Sequence, residues 1–123
     1  MTVPFLAFDH VQLAMPPGGE EAARAFYVGT CGMTEVSKPP ELAKRGGAWF
    51  ASGTLQLHLG VEPGFRPSAK AHPALRCSHL ETLILRLRAG GYDVRDDNAV
   101  PGTRRAFAND PFGNRLELIG TDR

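Results

Sequence analysis

The chain has 123 residues, a formal net charge of +1, 42% hydrophobic residues and two cysteines, Cys31 and Cys77. This length suits one domain, and the apolar fraction supports one core, which excludes an intrinsically disordered chain. The near-zero charge excludes nucleic acid and anionic membranes as electrostatic partners, and no apolar run approaches the roughly 20 residues that span a bilayer. No export signal is visible, so we expect a cytoplasmic protein with reduced thiols.

A strand, a helix and three further strands are predicted in the first half, over residues 8–13, 20–31, 33–37, 48–52 and 55–61. Acidic residues at positions 20 and 21 favour the start of the helix, and Gly32 is a typical signal for its end. The Pro- and Gly-rich segment 38–47 is expected to be either a mobile lid or a disordered hairpin tip.

The second half repeats this order, with elements predicted over residues 72–77, 80–89, 92–95, 104–108 and 115–119. Ser78 is the predicted N-cap of its helix, with Glu81 at the capping-box position. Glu117 follows His58 by 59 residues, as expected for an internal duplication. The pattern therefore predicts an α+β fold of two βαβββ modules, which must pair because each alone would expose a sheet face.

Polar residues fall on one face of four predicted strands, and aliphatic residues fall on the other. The polar faces carry His10 with Gln12, Gln56 with His58, His72 with Arg76, and Arg115 with Glu117. The aliphatic faces suit a covering helix, so the polar faces should line a wet cleft. Imidazole and carboxylate groups in such a cleft are usable metal ligands.

Five segments carry a family resemblance: FDHV at residues 8–11, FYVGTCGM at 26–33, LHL at 57–59, HPA at 72–74 and DPFGNRLEL at 110–118. They closely resemble the vicinal oxygen chelate superfamily of glyoxalases, bleomycin-resistance proteins and extradiol dioxygenases. The resemblance implies one domain of paired modules whose curved sheets enclose a cleft. Its predicted extent is residues 5–122, with modules 5–62 and 71–122 and a connector 63–70.

The resemblance also implies a divalent metal held by His10, His72 and Glu117, with His58 at the fourth position. Nitrogen ligands discriminate weakly among Zn, Mn, Fe, Co and Ni, so the metal identity stays open. The expected function is a glyoxalase-like enzyme of the lyase, isomerase or dioxygenase type, acting on a small vicinal-oxygen substrate. Glu117 or His58 would be the catalytic group that shuttles a proton. Because His58 stands where glyoxalase I has a glutamate, glutathione-linked glyoxalase activity is not expected.

The alternative is a metal-free, ligand-sequestering protein of the bleomycin-resistance type. Relatives of that type generally lack the ligand residues that this chain has. His79 matches no ligand position and is assigned to the solvated surface. A homodimer is expected because short sheets leave exposed edges, and whether the modules pair within one chain or exchange between two chains stays open.

The residues assigned to substrate contact are Gln12, Trp49, Gln56, Arg76, Arg105 and Phe107. Either Trp49 or Phe50 must point to the core, because neighbours in a strand take opposite faces. Arg104 and Arg105 are either an anion clamp or a solvated strand edge that discourages pairing with other chains.

Overall fold

The structure is a computed structural model that describes residues 2–121, so the predicted boundary at residue 122 lies outside the described residues. The strands are β1 (Val11–Met15), β2 (Thr34–Val36), β3 (Ala48–Ser52), β4 (Leu55–Val61), β5 (Ala74–Cys77), β6 (Val94–Asp97), β7 (Arg105–Asn109) and β8 (Arg115–Gly120). The helices are α1 (Glu20–Arg24), which continues as a π-helix over Ala25–Thr30, α2 (Pro40–Ala43) and α3 (Leu80–Ala89). No helix within residues 2–121 is long and apolar enough to cross a bilayer.

The strands form two four-stranded sheets with the same topology, in the orders β1-β4-β3-β2 and β5-β8-β7-β6. In each sheet the first and last strands of the module pair in parallel, and the other pairs are antiparallel. This arrangement confirms the predicted α+β fold of two βαβββ modules.

Strands β1, β5 and β6 begin two or three residues later than predicted, at Val11, Ala74 and Val94. The start predicted for β1 was wrong because it relied on the apolar side chain of Phe8. That side chain is 92% exposed. Its apolar character therefore does not hold the backbone in the sheet.

Of the two alternatives for segment 38–47, the disordered hairpin tip was wrong and the mobile lid stays a prediction. The segment contains the short helix α2, and the backbone N–H of Gly47 donates to Glu20 Oε2 at 2.8 Å. The N-cap predicted for α3 was also wrong. The N-cap of α3 is His79, in a left-handed conformation with φ 55°, and no side chain caps the helix. Leu80 is buried in the core, so tertiary packing rather than the Ser78 capping signal decides where α3 begins.

One hydrophobic core joins the two modules, and the turn between β7 and β8 fastens them together. Tyr27, on the π-helix, donates from its hydroxyl to Asp110 Oδ2 at 2.7 Å. The Asn114 side chain donates to the backbone oxygen of Ala14 at 2.8 Å. Asp110 and Asn114 are both buried, so this turn holds the two modules together.

Alkaline pH is expected to weaken this core through Cys31. Burial raises the pKa of its thiol from 9.0 to about 12, so the folded chain keeps the proton while the unfolded chain releases it above pH 9. The contribution of this thiol to the free energy of unfolding is therefore fully present below pH 9. It is lost as the pH rises towards 12, by up to about 1.4 kcal/mol per pH unit. In urea unfolding at pH 8 to 10.5, the free energy of unfolding should fall less steeply with pH for Cys31→Ala than for the wild type. Equal pH slopes for the two proteins would contradict an origin in Cys31.

Candidate metal centre

The four predicted ligands lie on the sheet faces opposite the shared core. His58 stands between Leu57 and Leu59, whose side chains belong to the core, and Glu117 stands between two core leucines in the same way. His58 is 5% exposed and Glu117 is 9% exposed. Each is therefore a buried polar group that needs polar or aromatic partners on its own face.

The first module brings His10 and His58 together. Their rings stack with centroids 4.1 Å apart, and Trp49 stacks on the other side of His58, also at 4.1 Å. Burial lowers the pKa of His58, and the charge of His10 lowers it further. A neutral imidazole is the form that binds a metal ion, so this environment suits ligation.

The second module brings His72 and Glu117 together. His72 Nε2 lies 2.9 Å from Glu117 Oε1, and Arg105 Nη1 donates to Glu117 Oε2, also at 2.9 Å. Arg105 is held in turn by Asp97 at 3.0 Å, and the Phe107 ring meets His72 edge-on with centroids 5.4 Å apart. The carboxylate thus has a cation on one oxygen and an imidazole on the other.

The two pairs occupy equivalent positions in the duplicated modules. The antiparallel register places Trp49 opposite His58 and Phe107 opposite Glu117. In each module the histidine that completes the pair precedes the neighbouring parallel strand. The duplication therefore extends from the strands to the polar side chains and their aromatic neighbours.

Both pairs have the hydrogen bonds expected of metal-binding histidines, whose second ring nitrogen is usually held by a carboxylate or carbonyl. His10 Nδ1 contacts Asp9 Oδ1 at 2.9 Å, and His72 Nδ1 donates to the backbone oxygen of Lys70 at 2.8 Å. These contacts leave Nε2 of each ring as the nitrogen available to bind a metal. The 2.9 Å between His72 Nε2 and Glu117 Oε1 suits two ligands of one ion with bonds of about 2.1 Å. The residues present therefore fit a divalent transition metal.

A single chain does not bring the two pairs into one site. Across residues 2–121, no group of three His, Cys, Asp or Glu side chains is placed to hold one ion. The four residues predicted as ligands thus form two separate pairs, one on each sheet, which we call half-sites.

Two cavities lie beside the half-sites, and Gln12 lines both. One of about 450 Å³ is lined by Arg66, from the connector, and by His72. The other, of about 260 Å³, is lined by Trp49 and by Lys38, from the segment that contains α2. Gln12 packs over Gly60, where a side-chain Cβ would lie 2.7 Å from Gln12 Nε2.

The other residues predicted for substrate contact have different surroundings. Gln56 Oε1 lies 3.4 Å from His58 Nε2, and Arg105 and Phe107 surround the second half-site. Arg76 lines neither of the two cavities, although strand parity assigned it to the His72 face. It lines two other grooves, one with Leu75 and Cys77 and the other with Ile119.

Sequence reasoning gave no contact role to two residues beside the site, although it placed one of them, Arg115, on the polar face with Glu117. Asp9 holds His10, and its position directly before the histidine was the available signal. Arg115 lies over the Phe107 ring at 4.1 Å and lines the larger cavity. Its Nε is buried and has no hydrogen-bond partner within residues 2–121, so it offers a free donor to an anionic group.

Comparison with known proteins gives one family over nearly the whole chain. Residues 7–118 match the model of the Glyoxalase/Bleomycin resistance protein/Dioxygenase superfamily. The chain therefore belongs to this superfamily, as the resemblance predicted. A search of curated protein sequences gives no match.

Solved structures agree with this assignment. A glyoxalase family protein from Bacillus anthracis is 45% identical, with a TM-score of 0.93 over 99% of this chain and 100% of that chain. An antibiotic binding protein from Streptomyces sp. CB03234, TnmS3, is 26% identical, with a TM-score of 0.71 over 96% of this chain and 100% of that chain. A fosfomycin resistance protein from Listeria monocytogenes, at 15% identity, has a TM-score of 0.76 over 96% of this chain and 95% of that chain, and it shares the fold.

Proposed function

We propose that this protein is a metal-dependent, glyoxalase-like enzyme that acts on a small molecule with two vicinal oxygens. The observation that carries the proposal is the way in which the rings of His10 and His72 are hydrogen-bonded. In each, Nδ1 contacts an oxygen of the chain, which leaves Nε2 available to bind a metal. A histidine that is only solvated does not need this arrangement, and it occurs in both modules.

A second copy of the chain would complete the centre. The half-sites lie on faces turned away from the core that the two modules share, so they do not meet within one chain. In a homodimer that exchanges modules, His10 and His58 of one chain would face His72 and Glu117 of the other. Each dimer would then contain two composite centres.

The exposed N-terminal residues support a dimer. Phe5, Leu6 and Phe8 are 88%, 93% and 92% exposed, respectively, and they directly precede His10 and β1. A large exposed apolar segment beside a half-site is typical of a surface that another chain covers. Docking of this segment on a partner would bring His10 to the interface.

In the composite centre the chain would bind, orient and deprotonate the substrate. A bound divalent metal supplies Lewis-acid polarisation of the substrate oxygens. Arg105 and Arg115 would hold anionic substrate groups, and Trp49 and Phe107 would form apolar walls on either side. His58 or Glu117 would carry the proton, since both are buried beside the place where substrate oxygens would bind.

Metal stoichiometry tests the proposal. Protein purified without chelators or a nickel column should contain about one transition-metal ion per chain by elemental analysis, and apoprotein should take up Co²⁺ to the same level. A dimer that takes up no Zn²⁺, Mn²⁺, Fe²⁺, Co²⁺ or Ni²⁺ would contradict the proposal. It would instead favour metal-free ligand binding, which the likeness to an antibiotic binding protein makes the second candidate.

A further inference from the structure

We propose that a groove between the two modules binds a small amphipathic anion, with one carboxylate-like group on an apolar body, at a site separate from the candidate metal centre. The groove has a volume of about 410 Å³ and is lined by residues of both modules, among them Tyr27 and Leu75. This volume lies within the roughly 300 to 1,000 Å³ of small-molecule sites. Leu116 and Leu118 also line it, on the face of β8 opposite Glu117.

The floor of the groove is apolar. Leu55, Leu75 and Leu83 line it and are partly buried. The two thiols, Cys31 and Cys77, also line it, and burial raises the pKa of both, so they are neutral at pH 7. Neutral thiols behave as small hydrophobic groups, so the floor suits a hydrocarbon or aromatic body.

The rim of the groove is basic. Arg76, His79 and Arg86 line it, and no aspartate or glutamate does. Within residues 2–121 neither Arg76 nor Arg86 forms an ion pair, in contrast to Arg104, which contacts Glu81. Arg86 is held by the backbone oxygen of Gly29 at 3.2 Å, which fixes a charge from the second module against the first. Two unneutralised cations over an apolar floor select for an anion with an apolar body.

The start of α3 adds to the positive potential. Ser78, His79 and Thr82 line the groove at this end of the helix, and no side chain caps the first turn. Uncapped backbone N–H groups and the helix dipole favour an anion at a helix N-terminus. The anionic group is therefore assigned to the end of the groove where Arg76 and the first turn of α3 meet.

Isothermal titration calorimetry with decanoate tests the site, with EDTA present so that no metal binds the carboxylate. We expect decanoate to bind and the uncharged decanamide to bind at least tenfold more weakly. Arg76→Ala should weaken decanoate binding about 10- to 100-fold, the worth of one charged hydrogen bond. Arg86→Ala should weaken it less, because Arg86 lies in the last turn of α3, away from the end assigned to the carboxylate. Thr82→Trp, at an exposed position lining the groove, should fill it and abolish binding.

Arg88→Ala is the matched control, because Arg88 lies on the same helix, contacts Asp96 and does not line the groove. It should leave decanoate affinity unchanged. The proposal is overturned if decanoate does not bind, if decanamide binds equally well, or if Arg76→Ala and Thr82→Trp bind like the wild type. It is also overturned if Thr82→Trp dissociates the dimer, because a second copy would then occupy the groove.

Discussion

Glu117→Ala is expected to weaken metal binding by more than about 100-fold, and His10→Ala is expected to do the same. Loss of a residue that only orients a ligand typically costs 10- to 100-fold in affinity, and loss of a ligand itself costs more. His72→Ala should behave alike. His58→Ala should weaken binding less, because three protein ligands suffice in a catalytic site with an open position. Competition with a chromophoric chelator would measure each affinity.

Two further variants separate ligation from general effects of charge. Asp9→Asn keeps a hydrogen-bonding group beside His10 but removes the carboxylate, so a loss of about 10- to 100-fold is expected. Glu41→Ala removes an exposed carboxylate whose contact is Lys44, and it should leave affinity unchanged. Wild-type metal affinity in both Glu117→Ala and His10→Ala would disprove the ligand assignment.

The second large effect is on stability, because substitution of Asp110 should lower the free energy of unfolding more than most other substitutions. Its carboxylate accepts four hydrogen bonds, from Tyr27 Oη, from the backbone N–H groups of Phe112 and Asn114, and from the Asn114 side chain, at 2.7 to 2.9 Å. Asp110→Ala would leave these buried donors without an acceptor. We expect a loss of about 3 to 5 kcal/mol in the free energy of unfolding, measured in urea.

Tyr27→Phe provides a graded comparison, because it removes one donor and leaves the others paired. It should cost about 1 to 2 kcal/mol. Asp93→Ala is the surface control, since its contact with Arg95 is exposed and 3.5 Å long, and it should cost less than about 1 kcal/mol. If Asp110→Ala were as stable as Asp93→Ala, the turn would not hold the modules together.

The sequence predicted the duplicated modules and the faces of their polar residues because both follow from short-range periodicity. Alternation in a strand assigns Leu57 and Leu59 to one face and His58 to the other without knowledge of the fold. Strands β3 and β4 were predicted at the bounds that the structure gives. Alternation also requires one of Trp49 and Phe50 to enter the core, and the structure shows that Phe50 does and that Trp49 stacks on His58.

Features that depend on tertiary packing could not be predicted in this way. Helix α3 was predicted at the bounds that the structure gives, but its N-cap was assigned to Ser78 by local chemistry, whereas the structure has His79 at that position, next to the buried Leu80. Arg76 has the parity of His72 but lies on an edge strand, and it lines neither of the cavities beside the half-sites. The separation of the ligands into two half-sites depends on how the modules pack, which leaves no short-range pattern in the sequence.

The metal content of a mixed dimer tests the composite centre most directly. His10→Ala and Glu117→Ala would each lack a ligand in both centres of their own dimers. A mixed dimer would combine the intact His10 of one chain with the intact Glu117 of the other in one of its two centres.

After joint unfolding and refolding of equal amounts, half of the dimers are mixed, so metal content should recover to about one quarter of the wild-type value. Each variant refolded alone should remain without metal. Recovery to about one quarter would support a centre shared between two chains. No recovery, with mixed dimers demonstrated by mass spectrometry, would contradict it.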